Sequence, residues 1–183
     1  YDAFVAGHAG NAVSAASGIY EGLKRAGRSA RTIAVIGDGA LTGGLALEGL
    51  SHAGQLGLPL VVVLNDNKMS ISPNVGAISR YLSRLSATVR YQKVRSRIDG
   101  IVRSLPLVGK WAYPLMLSGK RAVKGLLFKE TLFTDLGFEY VGPIDGHNMA
   151  AMIQVFREVK PLDRPVVIHV ITRKGKGYEL AEE

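Results

Sequence analysis

A chain of 183 residues with 47% hydrophobic content is long enough for one globular domain with a full core. These 183 residues include no cysteine, which excludes disulfides, thiolate metal sites and cysteine nucleophiles within them. The formal charge is +8, and residues 80–129 hold twelve Lys and Arg against one acidic residue, so this segment carries the asymmetry. We find no nucleic-acid-binding motif, no apolar run near the roughly 20 residues of a membrane span and no signal peptide. We therefore expect a cytoplasmic protein with no nucleic-acid partner and no membrane span.

The first 31 residues predict an exposed turn followed by a helix. Residues 7–11 (GHAGN) form the turn, and residues 12–26 have the small-residue face of a helix packed closely on a sheet, with Asn11 as its N-cap. His8 has two interpretations, a loop histidine with structural hydrogen bonds or a histidine that faces a bound ligand. Its position one helix before the strand that ends at Asp38 favours the second.

Residues 32–64 predict a strand, a helix and a second strand. Residues 32–36 and 60–64 are short runs rich in Val and Ile that end in turn-forming residues, as buried parallel strands do. Residues 44–56 carry apolar side chains at helical spacing. Ligands of such βαβ units bind beyond the carboxyl ends of the strands, where two polar clusters fall: Gly37-Asp38-Gly39 and Asn65-Asp66-Asn67.

The two clusters offer the chemistry of a metal and diphosphate site. Asp38 brings a carboxylate and Asn67 an amide oxygen, and Mg²⁺ prefers oxygen ligands that it shares with phosphates. Gly39 lets an anion approach the backbone, and the helix that follows presents free N–H groups to a diphosphate. The alternative is an ordinary βαβ unit with turn residues at its strand ends.

The basic segment, residues 80–129, predicts a helix from 81 to 105 that Pro106 ends. Three interpretations stay open for this segment. It is a surface insert, a surface that captures phosphorylated substrate or an acidic partner, or an amphipathic segment on a membrane surface.

The last third of the chain predicts a short strand over 138–141, a turn at Gly142-Pro143, a helix over 149–159 and a strand over 166–171. Asp145 and Asn148 are suitable caps for that helix. We interpret His147 as a structural residue of the turn and His169 as a hydrogen-bonded residue of the core.

The spacing of the two clusters resembles the thiamine diphosphate motif of transketolase-like enzymes. Asn67 follows Asp38 by 29 residues. In that family the Asp, the Asn and a backbone carbonyl two residues later hold the metal, which carries over to Asp38, Asn67 and the carbonyl of Met69.

Further stretches resemble one branch of that family, the 1-deoxy-D-xylulose 5-phosphate synthases: residues 69–72 (MSIS), 74–77 (NVGA), 142–148 (GPIDGHN) and 174–178 (KGKGY). The resemblance implies an α/β fold with a mostly parallel sheet flanked by helices and a basic helical insert at 80–129. It implies one incomplete diphosphate-binding domain over residues 1–183. It also implies thiamine diphosphate and Mg²⁺ as cofactors, a catalytic role for His8, and cofactor contacts from Gly7, His8, Ala9, Gly39, Ala40, Asn67 and Tyr178.

The implied reaction joins pyruvate to D-glyceraldehyde 3-phosphate and releases CO₂. In the family, a Glu from a separate pyrimidine-binding domain activates the cofactor, so we expect this chain to be a fragment that lacks that partner domain and is inactive alone. We expect a homodimer for the whole enzyme. Two alternatives remain: transketolase-type ketol transfer, or a non-catalytic cofactor-binding module that needs a partner chain.

Overall fold

The computed structural model describes residues 3–5, 7–69, 76–86 and 131–182. The elements in chain order are α1 Ala12–Arg25, β1 Ile33–Gly37, α2 Asp38–Leu41, α3 Gly44–Gln55, β2 Val61–Asp66, α4 over residues 77–86, α5 Leu132–Asp135, β3 Glu139–Asp145, α6 Met149–Val159, β4 Val166–Ile171 and α7 Glu179–Glu182. The predicted helix from 81 to 105 and the basic insert lie outside the described residues, except for residues 80–86, which belong to α4. Residues 70–75, which carry part of the MSIS and NVGA stretches, also lie outside them.

The four described strands form one parallel sheet in the order β1-β2-β4-β3. Helices α1 and α3 pack on one face of this sheet, together with residues of α4 and α5. Helix α6 packs on the other face. The predicted fold class, a parallel sheet flanked by helices, is therefore confirmed. No helix in the described ranges has both the length and the hydropathy that crossing a bilayer requires.

Side chains that alternate along β2 serve the two cores. Val62 and Leu64 belong to the core under α1 and α3, whereas Val61 and Val63 belong to the core under α6. This division follows from strand geometry, because successive side chains point to opposite faces. All four are buried, so β2 reads as a continuous apolar run.

Strand β1 differs from the prediction that both early strands are buried. Ala34 and Ile36 are buried, but Ile33 is 54% exposed and Val35 is 65% exposed. The core under α6 contains residues of β2 and β4, with Val141 and Ile144 of β3 against it, and none of β1. One face of β1 is therefore uncovered in the described part of the chain, although its composition is that of a buried strand.

The turn predicted at Gly142-Pro143 is wrong, because β3 continues through both residues to Asp145. The pairing of β3 with β4 is irregular between Val141 and Ile144, which accommodates the two residues as a bulge. Gly142 has a φ of +128°, and a Cβ on it would lie 2.6 Å from the carbonyl oxygen of His169. Glycine is required there because β4 passes close by.

The last helix–strand pair agrees with the prediction at both ends. Helix α6 spans Met149–Val159 and β4 spans Val166–Ile171, the predicted ranges. The Asn148 side chain caps α6 by accepting a hydrogen bond from the Ala151 N–H at 3.1 Å. Asp145 instead accepts from the N–H of His147 at 3.0 Å, within the turn before the helix.

Candidate functional site

The predicted metal ligands follow two neighbouring strands at the same edge of the sheet. Gly37 of β1 pairs with Asn65 of β2 in parallel register. Asp38 comes directly after Gly37 and is the first residue of α2, where it is 5% exposed. Asn67 comes directly after β2, which runs two residues further than predicted. The register thus places the Asp38 carboxylate and the Asn67 amide at adjacent strand ends.

The predicted diphosphate contacts, Gly39 and Ala40, lie in α2 and are hydrogen-bonded to the junction between α2 and α3. The Thr42 hydroxyl donates to the Gly39 carbonyl at 2.7 Å, and the Gly43 N–H donates to the Ala40 carbonyl at 3.2 Å. Helix α3 then begins at Gly44, and its N-cap, Gly43, has no side chain to cap it. The start of α3 can therefore offer backbone N–H groups to an anion.

The His8 loop lies against this junction. Gly10 has a φ of +91°, and a Cβ on it would lie 3.5 Å from the Ala46 nitrogen and 3.8 Å from the Ala40 carbonyl oxygen. His8 and Ala9 are exposed and line a cleft of about 840 Å³ together with Ala40, Gly37 and other residues of β1. This contact brings the predicted residues of the loop and of the α2–α3 junction to one cleft.

A tight turn presents the other predicted metal ligands. The Asn67 side-chain oxygen accepts a hydrogen bond from the Met69 N–H at 2.9 Å. Between them, Lys68 has a φ of +61° and is the only non-glycine residue of the described ranges with a positive φ. A left-handed conformation costs a residue with a Cβ about 1–2 kcal/mol, so the surrounding hydrogen bonds must hold it.

One of these bonds comes from a network of hydrogen-bonded polar side chains that the sequence did not predict. The Asp66 carboxylate accepts from the Lys68 N–H at 3.2 Å through Oδ1, and from the Ser86 hydroxyl at 2.9 Å through Oδ2. Oδ2 also lies 3.0 Å from Nε2 of His169. Nδ1 of His169 shares a hydrogen bond of 2.7 Å with the Tyr140 hydroxyl. The interpretation of His169 as a hydrogen-bonded core residue is confirmed.

Burial and hydrogen bonding set the charge states of Asp66 and Tyr140. Burial alone would raise the pKa of the Asp66 carboxyl, but the hydrogen bonds from His169 and Ser86 outweigh it and hold that pKa below its ordinary value of 3.8. Burial raises the pKa of Tyr140 well above its ordinary value of 10.0. Asp66 is therefore a carboxylate and Tyr140 a neutral phenol at neutral pH, and the carboxylate requires a hydrogen on Nε2 of His169.

The segment after β4 is tied to two neighbouring strand ends. The Thr172 hydroxyl donates to the Asn65 side-chain oxygen at 2.6 Å. The Arg173 N–H donates to Nε2 of His147 at 2.8 Å, so His147 has the structural contact expected of it. Tyr178 lies further along this segment, before α7, and is 62% exposed.

The structure thus brings some of the predicted site residues together and leaves others apart. His8, Ala9 and Ala40 share a cleft, and Asp38 and Asn67 share a sheet edge. The described contacts do not join Tyr178 to either group. Within the described ranges there is no cluster of three or more His, Cys, Asp and Glu that could hold a metal. The predicted ligand set is of another kind, since it has one carboxylate, one amide and one carbonyl.

Residues 1–172 match the protein family described as 1-deoxy-D-xylulose-5-phosphate synthase. Curated proteins of that name are similar along the whole chain. The identity is 49% for the protein of Treponema pallidum strain Nichols, 49% for that of Thermomicrobium roseum and 48% for that of Carboxydothermus hydrogenoformans. Each alignment covers 100% of this chain and 29% of the relative, so the chain spans under a third of their length.

A solved structure supports the fold. The transketolase of Campylobacter jejuni superposes with a TM-score of 0.60 over 96% of this chain and 22% of that one. The sequence identity is 21%, so this likeness concerns the fold alone.

Proposed function

The chain belongs to the 1-deoxy-D-xylulose-5-phosphate synthase family, and we propose that it is the Mg²⁺- and diphosphate-binding part of such an enzyme. The proposed reaction is the thiamine diphosphate-dependent condensation of pyruvate with D-glyceraldehyde 3-phosphate, which gives 1-deoxy-D-xylulose 5-phosphate and CO₂. The observation that supports the proposal is the pairing of Gly37 with Asn65, because the residues proposed as ligands, Asp38 and Asn67, follow these two adjacent strand ends.

The proposed metal ligands are Asp38, Asn67 and the Met69 carbonyl. All three supply oxygen, the donor that Mg²⁺ prefers. The Asn67 oxygen already accepts one hydrogen bond, from the Met69 N–H, and an amide oxygen has a second lone pair for a metal. A Cβ on Gly37 would meet no atom of the described residues within 4 Å, so there is open space beside the strand end. These residues fit a metal that also carries a diphosphate.

The proposed cofactor contacts are Gly7, His8, Ala9, Gly39, Ala40, Asn67 and Tyr178. The diphosphate would lie beside Gly39 and Ala40 of α2, close to the start of α3, which begins without a side-chain cap. His8 and Ala9 border the same cleft as Ala40, which supports their inclusion. Tyr178 rests on the family resemblance of residues 174–178, and its exposure leaves it free to cover a bound ligand.

Bound thiamine diphosphate would supply the carbanion chemistry that removes CO₂ from pyruvate and forms the new carbon–carbon bond. The chain's own residues would bind and orient it. His8 presents an exposed imidazole at the cleft, where it can hold or transfer a proton during the reaction, and we propose it as the catalytic residue of this chain.

The chain spans 29% of the length of its relatives, so the proposed activity belongs to a larger assembly. In the proposal, residues 1–183 are one domain with a basic insert at 80–129, and a pyrimidine-binding domain supplies the activating Glu. A homodimer and a cytoplasmic location are part of the same proposal, and sedimentation and cell fractionation test them.

A donor assay tests the proposed reaction. The protein expressed from its complete coding sequence is incubated with thiamine diphosphate, Mg²⁺ and D-glyceraldehyde 3-phosphate, with either pyruvate or a ketose phosphate as donor. We expect CO₂ release and product formation with pyruvate only. Transfer from the ketose phosphate without CO₂ would instead support transketolase-type chemistry.

A complementation assay tests the division of the site between domains. We expect the 183-residue chain alone to give no turnover, and activity to return when a separately expressed pyrimidine-binding domain is added. Turnover by the 183-residue chain alone would contradict this part of the proposal.

A further inference from the structure

A network of hydrogen-bonded polar side chains extends across three strands of the sheet, beneath the proposed metal site. Tyr140 on β3, His169 on β4 and Asp66 on β2 stand on three neighbouring strands. His169 is 0% exposed and Asp66 is 1% exposed. Apolar residues of similar volume commonly stabilise a core as well as a buried hydrogen-bonded polar pair does. A contribution to stability is therefore a weak reason for this pair, and its position suggests another.

This network of side chains ends at the turn that carries two proposed metal ligands, Asn67 and Met69. Oδ1 of Asp66 accepts from the N–H of Lys68, the residue with the left-handed φ of +61°. The next hydrogen bond joins the Met69 N–H to the Asn67 side chain. Two side-chain oxygens thus fix the turn, and one of them belongs to Asp66. The other oxygen of Asp66 is held by His169 and Ser86.

We propose that His169 is a positioning residue for metal binding. By holding the Asp66 carboxylate, His169 fixes the turn in the conformation in which the Asn67 amide oxygen and the Met69 carbonyl can bind one cation. His169 itself touches neither metal nor cofactor. The inference rests on the proposed function, because it takes Asn67 and Met69 as ligands of Mg²⁺.

The size of the expected effect follows from how metal sites are built. Mg²⁺ requires near-octahedral geometry with oxygens at about 2.0–2.1 Å, so a loosened turn loses affinity. Residues that orient metal ligands without touching the metal typically contribute about 10–100-fold in affinity or activity. A residue with only a packing role changes the stability of the fold and leaves the metal affinity of the folded protein unchanged.

The test measures Mn²⁺ binding by electron paramagnetic resonance, in the presence of thiamine diphosphate, on the protein expressed from its complete coding sequence. His169→Phe keeps a ring and removes both ring nitrogens. His169→Gln keeps a side-chain N–H near the position of Nε2. Ile168→Val is the matched control, because Ile168 is the buried neighbour on β4 that packs in the other core.

We expect His169→Phe to weaken Mn²⁺ binding at least tenfold and His169→Gln to restore it to within about threefold of the wild type. Ile168→Val should leave the affinity unchanged while lowering the melting temperature. Backbone hydrogen exchange at Lys68 and Met69 should accelerate in His169→Phe and not in Ile168→Val.

Two outcomes would overturn the inference. The first is a folded His169→Phe protein with wild-type Mn²⁺ affinity, and the second is an equal loss of affinity in Ile168→Val. If His169→Phe does not fold, Tyr140→Phe replaces it, because it removes only the hydroxyl that meets Nδ1. We expect about tenfold weaker binding, and wild-type affinity would overturn the inference. Asp38→Ala separates the two proposals. Loss of Mn²⁺ binding in Asp38→Ala with none in the His169 and Tyr140 variants would leave the proposed function standing and the positioning role refuted, and absence of binding in the wild type would refute both.

Discussion

Gly37 on β1 and Asn65 on β2 are register partners, and their pairing sets where the proposed metal ligands lie. Asp38 follows its strand by one position, and Asn67 follows β2 by one position. Because the strands are parallel, both side chains emerge at the same edge of the sheet. The proposed site therefore follows from strand register, and it depends on the packing that holds β1, β2 and their helices in place.

Replacing Gly54 tests this packing. A Cβ on Gly54 of α3 would lie 1.7 Å from the carbonyl oxygen of Leu136, which belongs to the turn after α5. We expect Gly54→Ala to lower the free energy of unfolding by about 3 kcal/mol, because backbone must move. Gly18→Ala is the control, since Gly18 is exposed on α1 and a Cβ on it would meet no atom of another described element within 4 Å. It should raise stability by about 0.5–1 kcal/mol. Urea denaturation measures both, and equal midpoints would contradict the packing described.

Removing the cap of α6 should destabilise the protein modestly. Asn148→Ala loses the hydrogen bond to the Ala151 N–H and should cost about 1 kcal/mol. Asn148→Asp keeps a side-chain acceptor and should retain most of the stability. Thermal unfolding of the three proteins measures this, and an unchanged melting temperature in Asn148→Ala would show that the cap contributes nothing.

The partly buried phenol of Tyr140 should make the protein sensitive to alkali. Burial raises its pKa above the ordinary value of 10.0, so the unfolded chain ionises first as the pH rises. Stability from this group is complete below pH 10 and is lost above it, by up to about 1.4 kcal/mol per pH unit. Tyr140→Phe should flatten the decline of unfolding free energy between about pH 10 and pH 12. Denaturant titrations across this range would contradict the prediction if the two slopes were equal.

Replacing His8 should separate catalysis from metal binding. We expect His8→Ala to lower kcat by about 10²–10⁴-fold, the usual contribution of a proton-transferring residue. The Mn²⁺ affinity should stay within about threefold, because His8 is not among the proposed ligands. His52→Ala is the control, since His52 is an exposed histidine in the last turn of α3. Loss of metal affinity equal to the loss of kcat would indicate that His8 acts on the metal site.

The sequence was most informative where local patterns decide the structure. Helix α6 and strand β4 have the predicted bounds, because apolar periodicity and a clear cap mark them. The prediction for β1 erred because a strand's composition does not show which of its faces a helix reaches. The turn predicted at Gly142-Pro143 is a bulge of β3. The prediction failed because the Gly-Pro pair does not show that β4 lies close to Gly142 in the folded protein.

The same limit applies to the site. The placement of Asp38 and Asn67 at strand ends could be predicted, because both follow short apolar runs in one βαβ unit. The contact between Asp66 and His169 could not be predicted, since 103 residues separate them. Neither strand's sequence indicates that β2 and β4 are neighbours. The only sequence signals were an aspartate in the polar cluster after one apolar run and a histidine inside another.

The most direct test of the account is calorimetric titration of thiamine diphosphate, with and without Mg²⁺, into the protein expressed from its complete coding sequence. The variants are Asp38→Ala and, as a control, Asp163→Ala, an exposed aspartate in the loop before β4. We expect heat that depends on Mg²⁺ in the wild type and in Asp163→Ala, and none in Asp38→Ala. Wild-type heat in Asp38→Ala, or no Mg²⁺-dependent heat in the wild type, would contradict the metal site proposed at the ends of β1 and β2.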